Sequence, residues 1–567
     1  MISCMLLASL TTTPSSVQKA SPGIPADRII DWSHAGVRMN GVRGILQYPV
    51  GVTCVLPAYR VYPNQSTDSR AGIQAAIDAC PAGRAVYLPA GTYRLSGQIT
   101  LKSGIALRGA GAGSTVLLSS ATNSIQLGAL ALSNATRCDI IGGVAKDATT
   151  VALGAAPPSA CTVGGFIMID ELPDHDVIWV RDSYRGTDSR RHVFLARITA
   201  INGNQVSFTP PNPYPFKSGS IPQARFKAAS RICSLSGVEA LTVSGSTDRG
   251  LYFCETDRCW SKNVEVTGFQ GGHGMVQINR SLQTEIRGCY IHDCADYPAQ
   301  PDGYGIMLFY DSCFSLIEDN IFDRTAAAII GEGTSGNVYG YNFMRQVGRI
   351  SWPVVMYGIN GNHGPFGTMS LTEGNIMCQF ENDGYHGSSS HQTLFRNSLN
   401  GLSYDGYTRL RWLVNLARAS YYHNCVGNVL GDPSWAPNKY EMTVANGGGG
   451  YDVSCVYKLE YPNDGNTDLV PATTWTNWTA PFPDARVRDT LIRHANYDYY
   501  NKAVVYEPGK DPDIPDSLYY SSKPSWFGSL DWPAIGPDVA GLMKSIPAKL
   551  RWDTHTSTRN LPDLFPR

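Results

Sequence analysis

"DSRAGIQAAIDACPAG", residues 68–83, runs directly into "RAVYLPAGTYRLSGQITLKSGIALRGAGAGSTVL", residues 84–117, and the period changes at the join. Ile73, Ala76, Ile77 and Cys80 stand at i, i+3, i+4 and i+7, one face of a short amphipathic helix. Pro81 and Gly83 end it. The apolar runs "AVYLP", "TYRLS", "QITL" and "IALRG" follow, each strand-sized and bounded by turn residues.

The motif "GIQAAIDAC", followed by "RAVYLPAGTYRLSGQITLKSGIALRGAG", resembles the opening of the pectate-lyase-like right-handed parallel β-helix superfamily. The resemblance implies a helix capping the open end of a coil, with the first rungs following in the pattern V-Y-L-P-x-G-T-Y. It covers about fifty residues and speaks to fold more than to reaction, because the superfamily holds polysaccharide lyases, glycoside hydrolases, epimerases and phage tailspikes.

Composition agrees with such a coil. Of 567 residues, 57 are Gly and 35 Pro, and only 16% are charged, which speaks for many turns and against a helical protein. The formal net charge of −1 gives no global field toward nucleic acid or an acidic polymer. No apolar run reaches the length of a membrane span. "MLLASL", residues 5–10, reads as a secretory-signal remnant, so the protein is expected to be secreted or at the cell surface. In that setting some of the 14 Cys would be bridged, with Cys54–Cys80 and Cys138–Cys161 as candidate disulfides.

The chain divides into a leader (1–25), cap and first rungs (26–138), an insertion (139–226), the main coil (227–450) and a tail (451–567). The insertion, "GGFIMIDELPDHDVIWV…RHVFLARITAINGNQVSFTPPNPYPF", reads as four or five antiparallel strands with "NGNQ" as a hairpin turn. The tail, "IPDSLYYSSKPSWFGSLDWPAIGP", is rich in aromatics and Pro and reads as an extended segment packed on the coil. It is similar to tails that end secreted bacterial β-helix proteins. Trp526 and Trp532, set among prolines, read as packing residues rather than sugar platforms.

Within the main coil, Asn320, Asn342, Asn375, Asn397 and Asn428 recur in one local pattern at spacings set by a 22-residue turn with loops added. This predicts a column of Asn satisfying turn backbone groups, with Cys289 in the same slot one turn earlier. That register places Glu332, His363 and His386, each followed by Gly, in a vertical stack about 5 Å per step. Tyr310 falls below it, Arg409 above it, and Asp383 one rung above Asn360. Whether Asp383 and His386 face the same groove depends on whether Gly384 makes a corner. "HG" also occurs at His273, outside the column, so part of the pattern is turn preference. Ser388, Ser389 and Ser390 read as turn material, and His391 and Arg396 as partners of Glu373 or Glu381.

Asp383, His386, His363 and Glu332 are therefore the candidate catalytic residues, with Arg409, Arg411, Tyr310, Asp311, Tyr357 and Tyr385 as substrate-binding residues. Two carboxyls in one groove point to a glycoside hydrolase, with Asp383 and Glu332 as the pair. His363 or His386 as base with Arg409 or Arg411 as cation would serve a lyase on a uronate polymer. A non-catalytic glycan-binding adhesin or tailspike-like protein is the third reading. The expected partner is a polysaccharide, not nucleic acid. Homo-oligomerisation stays open, since some coils of this kind trimerise. No cofactor is implied, and no Ca²⁺-ligand loop is legible, so neither metal binding nor its lack follows.

Overall fold

The computed structural model describes residues 23–55, 57–132, 135–180, 190–295, 303–348, 358–402, 412–444, 454–461 and 483–555. The expected signal remnant lies outside these residues. Helix α1 (Arg70–Ala79) buries Ile73, Ala76 and Ile77, and Cys80 follows them into the core. Gly72 sits where α1 crosses the preceding segment. A Cβ there would stand 2.0 Å from the Tyr59 carbonyl oxygen, so no larger residue fits.

Beyond α1 the chain winds as a right-handed parallel β-helix, as the opening segment predicts. Each turn lays one strand in each of three long sheets. Among the described residues these hold 12, 12 and 11 strands, called sheets I, II and III here. One turn runs through Val338–Gly340 (I), Phe343–Val347 (II) and Ile359–Gly364 (III). A narrow fourth ladder, Gly367–Thr368, Ser389–Ser390 and Ser420–Tyr421, closes the corner between III and I. Inward residues stack in register. Ile329, Ile359, Phe380 and Val414 lie one above the next along sheet III, fully buried in one apolar core. Burial of each such side chain contributes about 1.5–3 kcal/mol. The alternate residues Ile330, Asn360, Glu381 and Asn415 point outward.

The Asn column exists and is longer than expected. The Oδ1 of Asn342 accepts both the backbone N–H and the Nδ2–H of Asn320 at 3.0 Å. The same double contact repeats from Asn342 to Asn375, Asn375 to Asn397, Asn397 to Asn428, and Asn428 to Asn496. Cys289 begins the column by giving its N–H to Asn320 Oδ1. Its last member, Asn496, corrects the expectation that the repeat ends near residue 450. Ile492–His494 and Asn496–Asp498 extend sheets I and II beyond that point.

The insertion is a closed six-stranded antiparallel barrel from Cys138–Gly142 to Gln223–Lys227, rather than the four or five strands predicted. Closure removes the free edges that an open sheet of that size would carry. "NGNQ" is the predicted hairpin, with Asn202 paired to Gln205 and Gly203 at φ 57°.

Two side-chain expectations are corrected. All 13 described cysteines are free thiols, including Cys54, Cys80, Cys138 and Cys161. Most are buried and pack as small apolar groups. Burial pushes the Cys54 thiol up to about 12. Arg396 pairs with Asp538 of the tail at 2.7 Å rather than with Glu373 or Glu381, and His391 stacks on Tyr422 at 4.9 Å. Trp526 and Trp532 pack as predicted. The Trp532 indole N–H donates to the Tyr341 hydroxyl at 2.9 Å, and the Trp526 ring meets Tyr341 edge-on. No helix among the described residues is long and apolar enough to cross a membrane.

Candidate functional site

The candidate residues gather on the outward face of sheet III, at the C-terminal ends of Ala327–Glu332, Ile359–Gly364 and Phe380–Asn382. The register differs from the predicted one. Glu332 pairs with Gly364, Asn360 with Glu381, and Asn362 with Asn382, and both pairings shift across an irregularity. The extra residue of a bulge re-aims the side chains after it. His363 therefore meets Asp383 on the next rung, Glu332 lies level with Gly364, and His386 is not the third member of the predicted stack. His386 comes back from the turn after Asp383, and its ring meets the His363 ring edge-on at 5.1 Å. Asp383 and His386 both meet His363.

Asp383 is the anchor. Its side chain is 1% exposed, and its two oxygens are engaged three times. Oδ2 accepts from Asn360 Nδ2 and from His363 Nδ1, both at 2.6 Å, and Oδ1 accepts from the Tyr385 N–H at 2.9 Å. A carboxylate can only accept, so Nδ1 of His363 carries the hydrogen and the basic lone pair lies on Nε2. The Tyr385 ring stacks on His363 at 5.6 Å with 19° between planes, and fixes the imidazole from the other side. His363 keeps 22% of its side chain exposed.

Glu332 belongs to a second group. With Tyr310, Asp311, Arg191, Gly364 and Pro365 it lines a small cavity beside His363. Tyr310 and Asp311 both take left-handed backbone, φ 38° and 62°, which turns the chain sharply at the end of its strand. Asp311 is buried, and burial raises its carboxyl above the usual range against the lowering effect of Arg280 and Arg191. The Arg280 guanidinium stands 3.5 Å from Asp311 and lies over the Tyr310 ring at 4.9 Å. Tyr357, Arg409 and Arg411 lie outside the described residues. Arg191 and Arg280 carry no motif that marks them in the sequence. Arg191 in particular is more than a hundred residues from its neighbours in the cavity.

The serine run is interior. Ser389 Oγ stands 3.3 Å from His423 Nε2, yet both are fully buried. The His423 Nδ1 accepts the Gln392 N–H, and burial pushes its pKa down to about 3, so the pair is a neutral structural contact and not an activated nucleophile. Among the described residues, no three His, Cys, Asp or Glu side chains gather as metal ligands.

Similarity to known proteins is strongest in the opening segment. Residues 58–142 match the family described as rhamnogalacturonase A/epimerase, pectate lyase-like. Mannuronan C5-epimerase AlgE4 of Azotobacter vinelandii is 53% identical over 60 residues, 9% of this chain and 11% of that protein. AlgE3 of the same organism is 49% identical over 61 residues, 9% and 3% of the two chains. The chain thus spans about a tenth or less of the curated relatives it matches. Among solved structures, the tailspike gp49 of Pseudomonas phage LKA1 has a TM-score of 0.46 at 15% identity, covering 65% of this chain and 58% of its own. The tailspike gp61 of Pseudomonas phage phi297 has 0.47 at 13%, covering 71% and 67%. The fold is a parallel β-helix, and its opening segment is similar to a pectate-lyase-like family. The family match ends at residue 142 and so precedes every candidate site residue.

Proposed function

We propose that this protein acts on a uronate-containing polysaccharide by removing the proton α to the sugar carboxylate, with His363 as the base. The observation that carries the reading is the 2.6 Å contact between His363 and a buried, fully engaged Asp383. Asp383 is occupied in orienting the imidazole, so the hydrolase reading that pairs Asp383 with Glu332 loses one of its carboxyls. A base aimed outward from a buried Asp suits proton abstraction from carbon. His363 Nε2 takes the proton, and the electron pair passes into the carboxylate as an enediolate. In elimination, the bond from the β-carbon to the glycosidic oxygen then breaks, a carbon–carbon double bond forms, and the departing oxygen takes up a proton. In epimerisation, a proton returns to the opposite face. Tyr385 and His386, the protic side chains packed against His363, are the candidate donors. The short match to mannuronan epimerases makes mannuronan a reasonable first substrate.

Incubation with mannuronan, alginate, polygalacturonate and neutral glucans, read for ultraviolet-absorbing unsaturated ends, reducing ends and proton exchange with solvent, tests the reading. His363→Gln should lower turnover by about 10²–10⁴-fold, the range for loss of a general base. Asp383→Asn should fall comparably, because it admits the wrong tautomer. A second reading, a hydrolase, rests on Asp311 and Glu332 sharing one cavity, with Asp311 held toward its protonated form. Reducing ends without ultraviolet absorbance or exchange, lost in Asp311→Asn and retained in His363→Gln, would establish that reading and remove the first. Glycan binding without any product would support the adhesin or tailspike reading.

A further inference from the structure

The outward column of sheet III that runs through Asn360 continues past the candidate site. Asn360 pairs with Glu381, Glu381 with Asn415, and Asn415 with Lys458, each one rung above the last. Strands paired in register lie about 4.8 Å apart, and partnered side chains leave the sheet on the same face. A carboxyl, a carboxamide and a primary amine therefore follow one another up the column. Met442, in the strand Lys439–Met442, pairs with Lys458 from the other side and completes the stack.

All three groups are withdrawn from water. Glu381 and Lys458 are each 1% exposed and Asn415 is 4% exposed. The Lys458 Nζ stands 4.1 Å from the centre of the Trp412 ring and 5.3 Å from that of Tyr461. Trp412, Met442, Cys455 and Tyr461 form an apolar cluster separate from the core of the coil. Asn415 Oδ1 has no hydrogen-bond partner among the described residues. Gln379 Nε2 donates to Glu381 at 3.2 Å and steadies that carboxylate. Burying an ammonium and leaving a carboxamide oxygen unpaired both cost stability. One reaction removes the ammonium and uses the carboxamide. Lysine, unlike arginine, gives up its proton in buried surroundings, and the free amine is a nucleophile. The carbonyl carbon next to it in the column is Cγ of Asn415, and a carboxyl beside them carries protons.

We infer that Lys458 and Asn415 join in an intramolecular isopeptide bond, with Glu381 as the proton carrier. Glu381 takes one proton from the Lys458 ammonium. The neutral Nζ attacks Cγ of Asn415, the Nζ–Cγ bond forms, and the carbonyl electron pair moves onto Oδ1. That pair returns as the Cγ–Nδ2 bond breaks. Nδ2 leaves with the proton held by Glu381 and the one shed by Nζ, as ammonium, and Glu381 is ionised again. No oxidant and no cofactor takes part. The bond ties Trp412–Leu416 to Cys455–Leu459, two rungs on the face that carries His363 and Asp383. It is independent of the reaction proposed above.

The test is made on the full chain, denatured, reduced and digested with trypsin, with the peptides sequenced by mass spectrometry. Residues 412–418 should appear joined to residues 440–486, because a lysine acylated at Nζ is not cut. The joined pair should weigh one ammonia less than its two parts. Lys458→Met and Asn415→Ala should each abolish the joined pair. Glu381→Gln should leave most chains unjoined while the circular dichroism stays that of the wild type. Wild-type protein that yields only separate peptides, cut after Lys458, overturns the inference, whether or not the variants fold. So does a loss of ammonia that maps elsewhere, such as to a cyclised Asn–Gly pair. Joining that is undiminished in Glu381→Gln overturns the part given to Glu381.

Discussion

At the residue scale, environment decides what each titratable group can do. Asp383 and Glu373 are both buried carboxyls with hydrogen bonds, but their partners differ. Asp383 faces an imidazole, an amide and a backbone N–H. Glu373 accepts from the Leu518 N–H at 2.8 Å and the Tyr341 hydroxyl at 3.2 Å, and burial raises its pKa to about 7 from 4.5. Folded protein therefore keeps a proton on Glu373 that the unfolded chain releases above about pH 4.5, so this group's contribution to stability is full below that pH and declines as pH rises through 7. Thermal melting between about pH 5 and pH 8 should show a decline that Glu373→Gln reduces. An identical decline in the variant would remove Glu373 as its source. Of the candidate residues, Glu332, His363, Asp383, His386 and Tyr310 were singled out by spacing, and Asp311 and Tyr385 as their chain neighbours. Which of them touch was not legible, because register irregularities on both sides of Ile359–Gly364 moved His363 out of step with His386.

At the element scale, the rung is the unit, and the Asn column ties rungs together at one corner. Asn375 Oδ1 accepts two hydrogen bonds from Asn342, and its Nδ2 donates to the Tyr339 carbonyl and to Asn397. Asn375→Ala would strand several buried groups at once. The expected cost is about 2–4 kcal/mol, measured as a shift in the urea midpoint. An unmoved midpoint would show that neighbouring rungs satisfy those groups without it. This corner was legible because identical side chains in identical slots need only a period to align. The end of the repeat was less legible, since the step from Asn428 to Asn496 is 68 residues and hides the next rung behind a long excursion.

At the scale of the whole molecule, two segments outside the repeat finish the coil. The barrel docks on the coil beside the candidate residues. The tail covers the outside of the sheet I–II corner, where Tyr519 and Tyr520 donate to Glu318 at 2.7 and 2.8 Å. Arg396 is the clasp. It is 2% exposed, grips Asp538 with two nitrogens at 2.7 Å, and donates to the carbonyls of Pro515, Ile535 and Ile514. Arg396→Met should raise hydrogen exchange across residues 514–538 and cost about 2–4 kcal/mol, less than a fully buried pair because Asp538 is half exposed. Unchanged exchange there would mean that aromatic packing alone holds the tail.

What the sequence determined by itself was periodic: the cap helix, the rungs, the Asn column, the hairpin in the insertion and the packing role of the tail tryptophans. Each follows from a local rule that repeats, and repetition makes a weak signal readable. What only the tertiary structure decided was pairing between non-repeating parts. Asp383 holds His363 because a register shift brings them together, Arg396 finds Asp538 across 142 residues, and Arg191 of the inserted barrel lines one cavity with Glu332 of the coil. Such contacts depend on how loops close and surfaces dock, and no period in the chain encodes them.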